Sequence, residues 1–261
     1  RTTSNNTIAP LVHDESFDPV VYFSTSGTPI PLKSRELFTF ISKWSEKLKI
    51  CRDAVIASII PCDDNVFRLV NFACIRTRAK LCFPSSFDTV KNFNATHLFV
   101  SSNSINSEME MVNRKIQHDL NIFSRLNYNI GYVWKRLWVS IGSQTSKFES
   151  VFKRYQHDFG PNFHFAFVTG PLKPSVHEQW MVLYAKPLSP VFIPYEWGNV
   201  GTSLPCDIKF VKLGTLGGPI DNSLKIDENT HKIGSRINNV EIDKQGFWDE
   251  EGALVITSEN I

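Results

Sequence analysis

The sequence predicts a β-rich α+β fold, with an antiparallel sandwich or jelly-roll core covered by two or three helices. Residues 162–194 contain two apolar runs, NFHFAFV and QWMVLYA. In the first run Phe163, Phe165 and Phe167 share one face, because successive strand side chains point to opposite sides. Both faces of the second run are apolar, which indicates a strand covered on both sides. Elsewhere, apolar residues recur at spacings of three and four, which is typical of helices that lie on a sheet.

The remaining elements follow from the same two periods. Helices are predicted near residues 34–50, 104–126 and 146–159. Ser34 is suited to cap the first helix, and Ser107 with Glu110 resembles a capping box for the second. Further strands are predicted at residues 20–24, 54–60, 66–83, 96–102, 131–142, 206–213 and 253–257.

Charge divides the chain into three parts. Residues 1–19 are polar and are predicted to form an N-terminal arm, residues 20–218 form the β-rich core domain, and residues 219–261 form an acidic C-terminal extension. The extension holds nine Asp or Glu and four Lys or Arg, so the net charge of +2 leaves +7 for residues 1–218. A basic body is suited to meet a polyanion, although two solvated surfaces explain the same pattern.

Composition excludes several classes of protein. Of the 261 residues, 42% are hydrophobic and 21% are charged, which is typical of a folded globular chain. No apolar run reaches the roughly 18 residues that a spanning helix needs. The five cysteines include no C-x-x-C spacing, which predicts reduced thiols and an intracellular protein, in the host cytoplasm or in a virion if viral. The first residue, Arg1, is not a methionine, which suggests a processed precursor, a polyprotein product or a trimmed chain.

Two groups of residues are candidates for binding single-stranded RNA. Arg76, Arg78 and Lys80 share one face of the strand predicted at residues 66–83, and such a row of cations can follow a phosphate backbone. A solvated strand face explains that row equally simply.

In the strand predicted at residues 131–142, Arg136 lies between Trp134 and Trp138, which together suit the stacking of unpaired bases. Arginine and tryptophan also stack in ordinary cores and interfaces. The connection that follows residue 169 is the predicted partner contact, through Pro171 and Lys173.

No catalytic or metal-binding motif is present in the sequence. His177 and Glu178 begin the zinc-protease pattern, but Met181 stands where its second histidine is needed. The sequence contains neither a G-x-S-x-G elbow nor the G-x-x-x-x-G-K pattern of nucleotide-binding loops. We therefore predict no cofactor and no metal, and lean against an enzyme. The alternative is an enzyme whose site is assembled from distant residues such as His157, His164 and His177.

Residues 163–186, FHFAFVTGPLKPSVHEQWMVLYAK, resemble the last two strands of coat-protein jelly rolls in plant picorna-like viruses of the Secoviridae. The resemblance implies a non-enzymatic viral structural protein, a capsid or RNA-associated subunit that assembles with itself or with related subunits and binds RNA without sequence specificity. Viral movement proteins, which are related nucleic-acid-binding sandwiches, are an alternative within the same resemblance.

Overall fold

The structure is a computed structural model that describes residues 20–23, 30–141, 147–170, 172–193, 202–203, 213–220, 224–229, 232–235, 241–248, 250 and 254–257. Its α-helices are α1 (Ser34–Lys47), α2 (Asn65–Thr77), α3 (Ser102–Asp119), α4 (Ile122–Ser140), α5 (Glu149–Phe152) and α6 (Pro174–Tyr184), and 3-10 helices span Phe87–Phe93 and Lys153–Tyr155. The strands are β1 (Val20–Phe23), β2 (Ile30–Lys33), β3 (Val55–Ile59), β4 (Lys80–Cys82), β5 (His97–Ser101), β6 (Phe165–Thr169), β7 (Leu188–Phe192), β8 (Thr202–Ser203), β9 (Gly218–Pro219), β10 (Leu224–Ile226), β11 (Lys232–Ser235), β12 (Glu241–Trp248) and β13 (Leu254–Thr257).

The main sheet contains five parallel strands. Its order is β4-β3-β5-β6-β7-β8-β9, and only β8 and β9, at one edge, run antiparallel to their neighbours. The predicted antiparallel sandwich or jelly roll is therefore wrong. The apolar runs HLFV and AFVT are buried on both faces, as parallel strands require when helices cover both sides of the sheet. The molecule is an α/β protein, and not a β-rich α+β protein.

Helices cover the two faces of this sheet with separate cores. On one face α1 and α2 contribute Trp44 and Leu69, which pack with Phe99 and Phe167 of the sheet. On the other face α3, α4 and α6 pack in a larger cluster around Trp180. The sheet is thus the middle layer of three, and every crossover between parallel strands contributes a helix to one of the outer layers.

Three segments that the sequence assigns to strands are helical. Residues 66–77 lie in α2, where Val66, Leu69, Val70 and Ala73 are buried at helical spacing. Residues 131–140 lie in α4. The run QWMVLYA belongs to α6, which begins with Pro174, a residue suited to the first helical position. Because α6 is buried on every side, its sequence has no polar face that would reveal the period of a helix.

The other helices differ from their predicted bounds. The segment near 104–126 is divided between α3 and α4, because Leu120 has an extended backbone and the Asn121 side chain caps α4 by accepting a hydrogen bond from the Ser124 amide (2.9 Å). The segment near 146–159 holds only α5 and the 3-10 helix that follows it.

A second sheet is formed by β10, β11, β12 and β13, all antiparallel, from the predicted C-terminal extension. It meets the edge of the main sheet through an apolar cluster that includes Phe192, Leu216 and Leu254. The division into an arm, a core and an extension stays a prediction, and residues 1–19 and most of the strand predicted at 206–213 lie outside the described residues. Among the helices that the structure describes, none combines the length and hydropathy of a membrane-spanning segment.

Candidate functional site

Strand order places a polar cluster at one edge of the main sheet. From β3 the chain passes through α2 to β4, and from β5 it passes through α3 and α4 to β6, so the two connections leave neighbouring strands in opposite directions. Ligands of open α/β sheets bind outside the carboxyl ends of the strands at such a switch point. The side chains gathered there, which we call the carboxyl-edge cluster, are those of Asp64, Asn65, Ser101, Ser102, Ser104 and Thr169.

Asp64 links the ends of two strands. It precedes α2 as its N-terminal cap, and its Oδ1 accepts a hydrogen bond from the Val66 amide (2.8 Å). Its Oδ2 accepts a hydrogen bond from Oγ1 of Thr169, the last residue of β6 (3.1 Å). Burial raises the pKa of Asp64, and these two hydrogen bonds only partly oppose that effect. These two hydrogen bonds hold the carboxyl group in place between α2 and the end of β6.

Asn65 follows Asp64 and is almost completely buried, with 1% of its surface exposed. Within the described part of the chain neither its Nδ2 nor its Oδ1 has a hydrogen-bond partner. An unpaired buried polar group costs about 1–3 kcal/mol, so such groups are usually satisfied by protein, water or ligand. Asn65 therefore places two unsatisfied polar atoms next to Asp64 in the chain.

The hydroxyl side of the cluster lies where β5 passes directly into α3. Ser101 Oγ lies 2.8 Å from Ser104 Oγ and accepts a hydrogen bond from the Ser104 amide (3.2 Å). Ser101 pairs in register with Thr169, which places these hydroxyl groups beside the Asp64 contact. The first amides of α3 carry the positive end of the helix dipole and favour negative charge.

Gly170 allows the end of β6 to approach α3 closely. Its φ of +84° lies in the region that favours glycine, and a Cβ there would lie 3.4 Å from Ser102 Oγ. Its amide donates a hydrogen bond to the Val191 carbonyl of β7 (3.2 Å). This hydrogen bond holds the end of β6 against β7, close to the start of α3.

A separate ionic cluster surrounds His157. Its Nδ1 lies 2.8 Å from Asp88 Oδ1, its Nε2 lies 2.6 Å from Glu108 Oε1, and its ring stacks on Phe87 (5.6 Å between centroids). Burial alone would lower the pKa of His157, but the hydrogen bonds to Glu108 and Asp88 outweigh it and raise the pKa. Because both ring nitrogens are engaged, His157 is poorly placed to act as a base.

The three histidines of our alternative hypothesis occupy different surroundings. His164 is exposed just before β6, whereas His177 is buried in α6, where burial lowers its pKa to about 4. Within the described ranges, no group of three or more His, Cys, Asp or Glu side chains is arranged to hold a metal ion. The candidate site therefore uses a carboxyl group, an amide and hydroxyl groups, which the sequence did not single out.

Of the six residues predicted to bind RNA, five lie on helices or at a helix end and only Lys80 lies on a strand, so they do not form two strand faces. Arg76 is in the last turn of α2, Arg78 caps that helix with a φ of 60°, and Lys80 begins β4; all three are exposed. The three cations therefore do not form a row on one strand, and that prediction is wrong. RNA binding by these three residues stays a prediction that nothing here tests.

Trp134 and Trp138 lie one turn apart on α4, with ring centroids separated by 6.3 Å. Arg136 Nε donates a hydrogen bond to Glu178 Oε1 (2.7 Å) and so does not lie between the two rings. Lys173 is the cap residue of α6, and Pro171 lies outside the described residues, so both the base-stacking and the partner-contact roles stay predictions.

Comparison with known proteins identifies the fold. No family model matches the chain, and no curated protein matches it in sequence. Solved structures do match. The N-terminal domain of FACL13 from Mycobacterium tuberculosis has a TM-score of 0.59 and 12% identity, over 91% of this chain and 59% of that one. ATP-bound MatB from Rhodopseudomonas palustris has a TM-score of 0.56 and 13% identity, over 91% and 47%.

A third similar structure is the anthranilate CoA ligase AuaEII in complex with anthranoyl-AMP, with a TM-score of 0.60 and 10% identity. It matches 91% of this chain and 46% of AuaEII. At these identities the likeness shows a shared fold, and the chain spans about half the length of the structures it matches.

This likeness overturns the resemblance to viral coat proteins. The chain shares its α/β fold with the FACL13 domain, MatB and AuaEII, so the predictions of a Secoviridae-like coat protein, of a viral capsid or movement protein and of a non-enzymatic structural role are wrong. Of our hypotheses, the enzyme with a site assembled from distant residues agrees best with this fold. Residues 163–186 were predicted to be two strands of a jelly roll, but they contain one strand of a parallel sheet and one buried helix.

Proposed function

We propose that the chain takes part in the ATP-dependent activation of a carboxylic acid. In this reaction a carboxylate oxygen of the substrate attacks the α-phosphorus of ATP, the bond from that phosphorus to the bridging oxygen breaks, and pyrophosphate leaves. The product is an acyl adenylate. The observation that carries the proposal is the carboxyl-edge cluster, which lies at the switch point of a fold shared with ATP-bound MatB and with AuaEII bound to anthranoyl-AMP.

The phosphate groups have two candidate sets of donors. The first amides of α3 and the hydroxyl groups of Ser102 and Ser104 lie at the carboxyl end of β5. Residues 24–29, between β1 and β2, lie outside the described residues, but their sequence, STSGTP, contains four hydroxyl side chains and a glycine. Hydroxyl groups and the amides of glycine-containing loops are typical phosphate ligands.

Binding measurements test this proposal better than turnover, because the chain covers 46–59% of the structures it matches. We expect isothermal titration calorimetry to show binding of ATP and tighter binding of anthranoyl-AMP, which joins both halves of the site. Ligand binding should also raise the melting temperature. Failure of both compounds to bind at millimolar concentration would contradict the proposal.

Asp64 suggests which acids are activated. Its carboxyl group is partly buried, and a substrate amino group would supply further hydrogen-bond donors to it. We expect Asp64→Asn to weaken the binding of anthranilate about tenfold, since the amide presents a donor where the amine needs an acceptor. Benzoate lacks the amine and serves as the matched probe, so its affinity should not change. Equal effects on both acids would show that Asp64 does not contact the amino group.

A further inference from the structure

The outward face of α4 is apolar along its whole length. Side chains between 38% and 85% exposed lie on it. The residues, which we call the α4 stripe, are Ile122, Phe123, Leu126, Ile130, Val133, Trp134, Leu137 and, just after the helix, Ile141. At 3.6 residues per turn they fall within a sector of about 120° and extend over roughly 28 Å. This is the reverse of an ordinary surface helix, which turns its apolar side chains inward.

The inward face of α4 fixes this orientation. It buries Lys135, whose Nζ lies 2.7 Å from Glu149 Oε2 and 4.7 Å from the centroid of the Phe152 ring. Gly131 lies so close to Phe148 that a Cβ there would be 3.2 Å from that side chain. If α4 rotated to turn its apolar residues inward, the ion pair between Lys135 and Glu149 would break. The close contact between Gly131 and Phe148 would also be lost.

The exposed apolar area is large for a protein surface. Two of the eight side chains are aromatic, at roughly 150–250 Å² each when fully exposed, and six are smaller aliphatic ones, so at the fractions observed the stripe presents roughly 700 Å². The largest apolar patch on a typical monomer measures about 300–600 Å². An area of this size indicates a docking surface.

Charge distinguishes the candidate partners. The sequence of α4 contains Arg125, Lys135 and Arg136 but no Asp or Glu. By the helical period, Arg125 and Arg136 lie along one edge of the α4 stripe and Trp138 lies beyond its other edge, next to Trp134. If two copies paired antiparallel through their stripes, each edge would meet itself, and Arg125 would face Arg136 of the second copy, which is already paired with Glu178. Because Arg136 occupies that carboxylate, this pairing would give Arg125 no anionic partner of its own.

We propose that the α4 stripe docks on a phospholipid surface that contains anionic lipids. Such a surface accepts an apolar face along a helix that lies flat. Its anionic headgroups complement Arg125 at one edge of the stripe and Lys147, whose Nζ lies 5.4 Å from the centroid of the Trp134 ring, at the other. Tryptophan and the long stem of arginine both favour the boundary between acyl chains and headgroups, which matches the two edges of the stripe. The surface is separate from the carboxyl-edge cluster and independent of the proposed adenylation.

Cosedimentation with vesicles tests the proposal. We expect the chain to bind vesicles of phosphatidylcholine and phosphatidylserine, mixed roughly two to one, more tightly than pure phosphatidylcholine, and less tightly as salt is added. The double variant Leu126→Glu and Leu137→Glu should bind at least about tenfold more weakly, because two apolar anchors are replaced by anions.

The matched control is Phe38→Glu with Ile75→Glu, which changes two exposed apolar residues of α1 and α2 and should bind vesicles as the unchanged chain does. Circular dichroism confirms that both double variants remain folded, which is expected because all four side chains are exposed. Absence of binding to the phosphatidylserine vesicles, or equal loss in the two double variants, would overturn the proposal. A dimer that the α4 stripe substitutions dissociate, without vesicle binding, would instead assign the surface to a second copy.

Discussion

Replacing Trp180 with alanine is expected to lower the free energy of unfolding by about 3–5 kcal/mol, because a large cavity would open in a fully buried layer. Trp180 lies in α6 with no exposed surface, and its ring lies 4.2 Å from that of Tyr184 and 5.8 Å from that of Phe159, measured between centroids. Urea unfolding, followed by circular dichroism, measures the change.

Two further variants make the test of Trp180 specific. Trp134→Ala removes a partly exposed indole from α4 and should change stability by less than about 1 kcal/mol. Trp180→Phe keeps the ring packing and removes Nε1, which is buried without a hydrogen-bond partner among the described residues, so it should cost less than the alanine variant. Equal effects of Trp180→Ala and Trp134→Ala would mean that α6 is not the buried helix described above.

The second large effect is expected at the ion pair beneath α4. Replacing Glu149 with alanine leaves the ammonium group of Lys135 buried against Phe152 without its carboxylate. Breaking a buried pair from one side usually costs about 3–5 kcal/mol. Because 43% of the Glu149 side chain is exposed and water can partly replace it, we expect a loss of about 2–3 kcal/mol.

Lys135→Met is the matched variant, because it removes the buried charge and leaves an apolar chain of similar length. It should change stability by less than about 1 kcal/mol, and adding it to Glu149→Ala should recover most of the loss. If Lys135→Met were the more damaging substitution, the ion pair would be stabilising in itself.

Acid should weaken the same contact. Burial alone would raise the pKa of Glu149, but the hydrogen bonds from Lys135 and Gln156 outweigh it and lower the pKa. A carboxyl group whose pKa is lowered by folding stabilises the folded state above its unfolded pKa of about 4.3. That contribution is lost as the pH falls through the folded value.

The positions of several strands could be predicted from the sequence, but the directions of the strands in the sheet could not. The runs at β3, β5 and β6 are apolar and short, and they form strands where the sequence places them. A short apolar run looks the same in a parallel and in an antiparallel sheet, so direction depends on what lies between the strands. Assigning α2 and α6 to strands removed the crossover helices, and the antiparallel sandwich followed from that error.

Helices α6 and α4 were both predicted as strands, for two different reasons. In α6 the residues from Trp180 to Tyr184 are all buried, so no polar face marks the period. In α4 the exposed side is the apolar one, and Val133, Leu137 and Ile141 satisfy the period of a strand as well as that of a helix. A sequence pattern reveals a helix only where the apolar residues are the buried ones. In α4 the apolar residues of the α4 stripe are exposed, so the pattern does not reveal the helix.

Part of the candidate site could be predicted from the sequence. Asp63, Asp64 and Asn65 lie between the apolar strand β3 and helix α2, and Ser101 and Ser102 hold the same place between β5, which neighbours β3 in the sheet, and α3. Polar residues at such points meet at the carboxyl edge of a parallel sheet, but only once the sheet is known to be parallel. The contact between Asp64 and Thr169 joins residues 105 positions apart, which no local pattern indicates.

Hydrogen–deuterium exchange with and without anthranoyl-AMP tests the central claim most directly, because it locates a ligand on the chain. We expect the adenylate to slow exchange in peptides that contain Asn65 and Val66, Ser102 to Ser104, and Gly170, while β10 to β13 remain unchanged. Protection confined to the second sheet or to α4, with no change at the carboxyl-edge cluster, would contradict the assignment of that cluster as the adenylate site.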